Sequence, residues 1–266
     1  MNVEQAIILG ALQGVTEWLP ISSSGHLVLL QKVMLSQNSV LFDIMVHGGT
    51  LLAVLLFFWR DVLTVLKNFF GTFPDLLRRG PGAFTSSYER RLSWYLVLAT
   101  VPIVVVGLLL QDYVNEIFND ARLVGICFLI TGVWLLLTRF SGGRKKVNLR
   151  SSLLIGLAQA AAILPGISRS GSTIATGMLS GVDKEEAAKF SFLLSIPAIA
   201  GALTLEILRY GLSSAATTPN LVGFLTSFIV GVLSIKFLLE VIRRGRFHLF
   251  SIYCFGIGLL ALTVLS

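Results

Sequence analysis

One segment of this chain, residues 13–26, places a carboxylate, hydroxyls and an imidazole within otherwise apolar sequence. It reads QGVTEWLPISSSGH and contains Gln13, Glu17, three serines and His26. Gln13 and Glu17 are four residues apart, which puts both side chains on one face of a helix. Glutamate, serine and histidine are side chains that serve as bases, nucleophiles and acids in enzymes. The segment therefore predicts the reactive part of an active site.

A second polar segment, residues 165–173, reads PGISRSGST. A glycine-rich turn exposes backbone N–H groups, and a helix that begins after such a turn adds its dipole. The guanidinium of Arg169 can form two parallel hydrogen bonds with one phosphate, and nearby hydroxyls can donate others. This segment predicts a phosphate-binding site. Serines in membrane helices also commonly bond to a carbonyl of their own helix, and that alternative stays open for each serine here.

The composition indicates where these segments lie. Of 266 residues, 55% are hydrophobic and 13% are charged, whereas soluble domains carry about 25% charged residues. The mean hydropathy is +0.83. These values exclude a soluble globular domain and a disordered chain, and they indicate an all-α integral membrane protein. The net charge of +7 is attributed to cytoplasmic loops and an anionic substrate, so no nucleic-acid partner is expected.

The apolar sequence divides into spans and interrupted segments. Six runs are long enough to cross a bilayer, which takes about 20 apolar residues: 40–59, 92–110, 122–138, 187–208, 220–240 and 248–265. Residues 3–35 and 150–182 are instead broken midway by Pro, Ser and Gly. Irregular backbone at membrane depth is tolerated only where it is buried in protein or lines a wet cavity. Both interrupted segments are therefore predicted to be re-entrant hairpins, and the polar segments are their tips.

The two hairpins form an internal repeat. Gln13 and Gln159 are 146 residues apart, and after the inserted Gly166 the pattern Ile-Ser-x-Ser-Gly at 21–25 recurs at 167–171. Each half then consists of one hairpin and three spans. Because three is odd, the halves are predicted to lie in opposite orientations, with the site at their interface. We expect a single membrane domain over residues 1–266, with repeats at about 3–138 and 149–265.

Loop charges predict the orientation in the plasma (inner) membrane. Loops 60–91, 139–150 and 241–247 carry six, five and three Lys or Arg residues, whereas loops 111–121 and 211–219 carry none. The positive-inside rule places the first three loops in the cytoplasm and the last two outside. The first hairpin then enters from outside, and the active site is predicted to open to the extracytoplasmic side.

Several residues and motifs are assigned no chemistry. Cys127 and Cys254 lie in apolar runs and are interpreted as core residues. The first basic residue is Lys32, so no cleavable signal peptide is expected. Residues 166–173 resemble a phosphate-binding loop of nucleotide hydrolases, but Ser172 occupies the position of the required lysine. A lipid phosphatase of the PAP2 type is also excluded, because Ala175 occupies the position of its second histidine.

The two motifs closely resemble those of the bacitracin-resistance family of undecaprenyl-diphosphatases. That family has a Glu/Gln-x-x-x-Glu segment before Ser-Ser-x-Gly-His, and a later Pro-Gly-x-Ser-Arg-Ser-x-x-Thr. Here these are Gln13 to Glu17, residues 22–26 and residues 165–173. Gln13 occupies the first acidic position, which weakens a two-carboxylate metal site. The resemblance extends over nearly the whole chain and implies hydrolysis of a polyprenyl diphosphate to the monophosphate, which recycles the lipid carrier of cell-wall synthesis.

The resemblance and the residues together give the predicted roles. Ser23 is the expected nucleophile. His26 is expected to activate Ser23 or to protonate the leaving oxygen. Glu17 is expected to orient His26 or to bind a divalent cation. Arg169 holds phosphate oxygens. The remaining substrate-binding residues are Gln13, Ser22, Ser24, Gly166, Ser168, Ser170 and Thr173. His26 as the direct nucleophile stays an alternative, as does a lipid-carrier flippase or secondary transporter with the same site. The family implies Mg²⁺ or Ca²⁺ dependence; the expected partners are the lipid and the membrane, and a homodimer is left open.

Overall fold

The structure of the protein, a computed structural model, describes residues 1–34, 40–109, 120–211 and 217–264, and most of these residues are helical. The helices are α1 Val3–Trp18, α2 Ser23–Met34, α3 Val40–Phe57, α4 Trp59–Arg79, α5 Tyr88–Leu109, α6 Ala121–Leu137, α7 Leu149–Ala161, α8 Arg169–Leu179, α9 Lys184–Tyr210, α10 Thr218–Arg243 and α11 Phe250–Val264. Strand pairing within the described ranges is limited to a single bridge between Lys145 and Val182. The predicted all-α class is confirmed.

Within the described residues, five segments are long and apolar enough to cross a membrane: Tyr88–Leu109, Ala121–Phe140, Lys184–Arg209, Thr218–Arg243 and Phe247–Val264. They match five of the six predicted spans. Residue 110, residue 265 and most of the two predicted outer loops lie outside the described residues. The result is a multi-pass membrane protein, as the composition predicted.

The remaining predicted span, 40–59, and the loop predicted after it differ from expectation. Helix α3 ends at Phe57, and the chain bends by 81° into a second helix. Residues 60–91, the stretch between two predicted spans, are predicted to be a loop, and that prediction is wrong for 60–79, which lie within α4, and for 88–91, which begin α5. Large apolar side chains recur there every three or four residues and are exposed: Leu63, Leu66, Phe70, Phe73 and Leu77. That spacing is typical of an amphipathic helix at a membrane interface, where basic and apolar residues share one helix.

Both predicted hairpins are present as pairs of short helices. In the first, α1 ends before Leu19, whose backbone is extended at ψ 150°. Proline disfavours a helical conformation in the preceding residue, and Pro20 follows Leu19 directly. In the second, residues 162–168 separate α7 from α8, and Gly166 adopts a φ of +93° that favours glycine. The interruption in each hairpin therefore follows from its own sequence.

The two halves show the same local and packing features. Asn2 caps α1 and Asn148 caps α7, each in a reciprocal capping box, and these asparagines are 146 residues apart. Helix α1 packs against α10, and α7 packs against α5, so each hairpin contacts the second span of the other half. The third spans, α6 and α11, pack against each other. This exchange agrees with the repeat, while the opposite orientation of the halves stays a prediction.

The core lies where the hairpins meet the long helices. Trp18 packs against Phe192 with ring centroids 5.6 Å apart, and Phe192 packs against Phe58 at 5.4 Å. Cys127 and Cys254 are free and buried, which confirms their interpretation as core residues. The outer faces of the spans expose leucine, isoleucine and valine, as surfaces in contact with lipid do. Both hairpin tips are therefore held inside a helical frame.

Candidate active site

The two hairpin tips are joined through Ser22. Its hydroxyl accepts hydrogen bonds from the N–H of Gly25 at 3.3 Å and from the N–H of Gly166 at 3.1 Å. Ser22 has a φ of 66°, a left-handed conformation that is rare for serine. Such a conformation persists only where the surrounding contacts require it. The bond across to Gly166 is one such contact, so the first tip is shaped by the second.

Glycine at positions 25 and 166 is required by the close approach of the tips. A Cβ atom on Gly25 would lie 2.7 Å from the ring of Phe128 and 2.9 Å from the Cα of Gly166. A Cβ atom on Gly166 would lie 2.5 Å from the carbonyl oxygen of Val124. These distances are well below carbon contact distances. Gly166 thus has a structural role at the centre of the site.

Thr131 on α6 holds the backbone of the second tip through two hydrogen bonds. Its Oγ1 donates to the carbonyl of Gly166 at 2.9 Å and accepts from the N–H of Ser168 at 3.1 Å. Two backbone groups of an irregular segment are satisfied in this way, as buried polar groups must be. Sequence reasoning missed Thr131, because a single threonine in an apolar span carries no positional signal.

Glu17 is the centre of the polar cluster and is only 9% exposed. Its Oε2 accepts hydrogen bonds from Ser23 Oγ at 2.7 Å and from Gln13 Nε2 at 3.1 Å. Its Oε1 forms an ion pair with Nη2 of Arg169. The carboxylate of the first hairpin therefore holds the predicted nucleophile and joins the two predicted motifs directly.

The guanidinium of Arg169 can donate a further hydrogen bond. Its guanidinium carbon lies 5.4 Å from the ring centroid of Trp18, a cation–π contact. While Nη2 pairs with Glu17, Nη1 is buried and has no hydrogen-bond partner among the described residues. A buried donor without a partner costs free energy. An incoming anion would remove that cost.

A cavity of about 110 Å³ lies between the two tips. Its lining residues are Thr16, Glu17, Ser22, Ser23, Ser24, Ala162, Ile167, Ser168 and Arg169. Helix α2 begins at Ser23 and α8 at Arg169, so the N-terminal ends of two helices face one space. Helix N-termini carry unpaired N–H groups and partial positive charge, which favour an anion.

His26 does not contact Ser23 in the way predicted. Its Nδ1 lies 2.7 Å from the carbonyl oxygen of Ser22, and its Nε2 lies 2.7 Å from the hydroxyl of Tyr253. Both nitrogens are therefore occupied, whereas the Ser23 hydroxyl is bonded to Glu17. The expected Ser23–His26 pair is replaced by a Ser23–Glu17 pair, because the imidazole is held along its own helix by the carbonyl four residues earlier.

The predicted substrate-binding residues divide into two groups. Ser22, Ser24 and Ser168 line the cavity. Gln13, Gly166, Ser170 and Thr173 do not: Ser170 donates to the carbonyl of Leu19 at 3.0 Å, and Thr173 is bonded to Ser191 at 2.5 Å and to the carbonyl of Arg169 at 2.7 Å. The bond of Ser170 joins the two hairpins, whereas Thr173 ties the second hairpin to α9 through Ser191. The second group therefore supports the site from outside the cavity.

The oxygen atoms available for a metal ion are few. The described part of the chain has no group of three or more His, Cys, Asp or Glu side chains arranged to hold one. Glu17 is the carboxylate of the site, and the neighbouring Gln13 Oε1 is buried without a hydrogen-bond partner there. A hard cation prefers such oxygen ligands and keeps several sites for water or phosphate oxygens. Because both oxygens of Glu17 are already engaged by Arg169, Ser23 and Gln13, a cation here would need most of its ligands from the substrate and water.

The fold and the cavity together define an all-α integral membrane protein with a buried, arginine-containing site suited to an anion. Comparison with known proteins identifies the family within this class of membrane proteins. The chain belongs to the family described as bacitracin resistance protein BacA, whose model matches residues 6–260. The resemblance inferred from the two motifs is confirmed.

Relatives of this chain match it over almost its entire length. It is 51% identical over 265 residues to an undecaprenyl-diphosphatase of Korarchaeum cryptofilum, with 100% of both chains covered. It is 41% identical to one of Desulforapulum autotrophicum, with 98% of each chain covered. For one of Methanobrevibacter smithii the identity is 42%, with 98% of this chain and 96% of the relative covered. These names favour the hydrolase prediction over the transporter alternative.

Proposed function

We propose that this chain hydrolyses undecaprenyl diphosphate, or a similar polyprenyl diphosphate, to the monophosphate and inorganic phosphate. The relatives support this proposal by their names. The single observation that carries it is the cavity between the hairpin tips, where Arg169 has a buried Nη1 without a partner among the described residues. A diphosphate headgroup supplies oxygens for that donor and for two helix N-termini. The product would return the lipid carrier to cell-wall synthesis.

The first chemical step follows from the Ser23–Glu17 hydrogen bond. Ser23 Oγ attacks the terminal phosphorus, and its proton passes to Glu17 Oε2, 2.7 Å away. The bond from that phosphorus to the bridging oxygen breaks, and the lipid monophosphate leaves with the electron pair. Arg169 Nη1 and the helix N-termini stabilise the charge on the transferring phosphoryl group, which is the main task of a protein in phosphoryl transfer.

The second step releases phosphate. Water attacks the phosphorus of phosphoserine 23, and the bond to Oγ breaks as Glu17 returns its proton to Oγ. Dihydrogen phosphate leaves, and the serine and carboxylate are regenerated. The rival pathway, with His26 as the nucleophile, would require Nε2 to leave Tyr253. Trapped intermediates distinguish the two pathways, since phosphoserine survives acid and phosphohistidine does not.

A divalent cation, Mg²⁺ or Ca²⁺, is proposed as a cofactor. Glu17 would hold it together with diphosphate oxygens. It would supply charge neutralisation to the headgroup when bound. Removing metal with a chelator and restoring each ion separately tests this assignment.

The active site is proposed to open to the extracytoplasmic side of the plasma membrane. The support is the distribution of basic residues, which places the entrance of the first hairpin outside. A membrane-impermeant diphosphate analogue should therefore inhibit the protein in intact cells. Inhibition only in inverted vesicles would place the opening on the cytoplasmic side.

Purified protein in detergent provides the direct test of the function. Wild-type protein should release phosphate from a C55 diphosphate, and Ser23→Ala should reduce this release by at least about a thousandfold. Thr263→Val is the matched control, because the hydroxyl of Thr263 bonds only to carbonyls of its own helix among the described residues. Wild-type rates in the Ser23 variant would refute Ser23 as nucleophile, and no release by the wild type would refute the function.

A further inference from the structure

Tyr253 on α11 contacts His26 across 227 residues of sequence. The two side chains are joined by the 2.7 Å contact between Tyr253 Oη and His26 Nε2. Their rings are also stacked, with centroids 5.7 Å apart and planes inclined by 14°. Neither the proposed mechanism nor the sequence motifs assign a role to this tyrosine.

The partners of His26 determine where its proton lies. The Ser22 carbonyl can only accept a hydrogen bond, so Nδ1 at 2.7 Å from it must carry a hydrogen. In the neutral ring Nε2 then has a lone pair, and the Tyr253 hydroxyl donates to it. Phe128 packs edge-on against the imidazole at 5.3 Å. The ring is therefore fixed in rotation and in tautomer from three directions.

The location of the contact between Tyr253 and His26 argues against a purely structural role. The next residue, Cys254, is fully buried and contacts the Pro20 carbonyl at 3.5 Å, which already secures α11 to the first tip. Tyr253 itself is 43% exposed. Its hydroxyl and Nε2 therefore meet at an accessible position beside the first tip, and neither side chain is among those that line the cavity.

We propose that Tyr253 is a positioning residue of the phosphatase, which holds the imidazole of His26 so that Nε2 stays at an accessible position beside the first tip. This role rests on the proposed function. When substrate binds, Nε2 takes up a proton from water, and the protonated ring exchanges its bond with the tyrosine hydroxyl for one in which Nε2–H donates to an oxygen of the lipid-linked phosphate. The tyrosine acts only through the imidazole, so its hydroxyl is needed only while His26 is present.

The kinetic test is a double-mutant cycle. Tyr253→Phe retains the ring and removes the hydroxyl, and it should lower kcat about tenfold with KM changed less than twofold, which corresponds to about 1.4 kcal/mol. In a His26→Ala background the same substitution should change kcat less than twofold. Thr263→Val on the same helix should leave kcat and KM unchanged. A rise in KM alone, or equal effects in both backgrounds, would show that Tyr253 acts without His26 and would overturn the proposal.

A spectroscopic test separates this contact from the activity. The chain has three histidines, so the ¹⁵N signals of His26 can be assigned by their loss in His26→Ala. Wild-type protein should show His26 as the Nδ1–H tautomer, and Tyr253→Phe should move the Nε2 signal, because the hydrogen bond from the tyrosine hydroxyl is lost. An unchanged Nε2 signal would overturn the positioning role even if kcat falls. If the Nε2 signal moves but the wild-type protein releases no phosphate, the phosphatase is refuted, and this role with it.

Discussion

Arg169→Lys separates the two tasks that the guanidinium performs in this site. Arg169 pairs with Glu17 through Nη2, and Nη1 has no partner among the described residues. Lysine keeps the positive charge but has one nitrogen, and it cannot form the planar fork. The ion pair with Glu17 is the contact that lysine can keep, so the substrate loses its donor. We expect the variant to fold and to bind phosphate poorly in the transition state.

The size of the effect follows from that lost donor. A hydrogen bond to a charged group contributes about 1.5–3 kcal/mol, which corresponds to a loss of roughly 10- to 150-fold in kcat/KM. The measurement is phosphate release from a C55 diphosphate in detergent, at substrate concentrations well below KM. Arg243→Lys is the matched control, because Arg243 is 59% exposed and its ion pair with Glu185 lies at the surface.

One result would refute the reasoning. If Arg169→Lys retains activity within about threefold of wild type, less than roughly 0.7 kcal/mol of transition-state stabilisation has been lost. The unpartnered Nη1 would then have no part in holding the phosphate. A thermal unfolding curve close to that of the wild type shows that a loss of activity is not a loss of fold.

Two further predictions concern the frame around the site. Cysteines introduced at Ser141 and at Thr217 should react with an impermeant maleimide from opposite sides of the membrane. Reaction of both cysteines from the same side would contradict the inverted arrangement. Thr131→Val removes both hydrogen bonds to the second tip and should destabilise the protein by about 1–3 kcal/mol, seen as a lower unfolding temperature in detergent together with reduced phosphate release. An unchanged unfolding temperature would mean that the tip does not depend on Thr131.

Local sequence was sufficient to predict the hairpins and their tips. Pro20, Gly166 and the surrounding serines interrupt apolar runs, and both the conformational and the polar signal lie within a few residues. The prediction for residues 60–79 is wrong because this segment has no continuous apolar run of spanning length, although Leu63, Leu66 and Phe70 recur at helical spacing. An interfacial helix combines both features.

The pairings within the site could not be predicted from sequence. Ser23 has both Glu17 and His26 nearby in sequence, and their proximity does not show which one its hydroxyl contacts. The choice depends on the turn at Ser22 and on Tyr253, which is distant in the chain. Thr131 and Tyr253 each lie alone in an apolar helix, so tertiary structure is needed to identify them.

The contacts between the two hairpin tips have a consequence for biosynthesis. The first hairpin is synthesised and enters the bilayer more than a hundred residues before the second. Until the second tip arrives, the hydroxyl of Ser22 lacks the N–H of Gly166, and Glu17 lacks Arg169. A half-inserted chain therefore has a carboxylate and a serine but no assembled phosphate cavity. The protein can therefore become active only after the second hairpin has inserted and met the first.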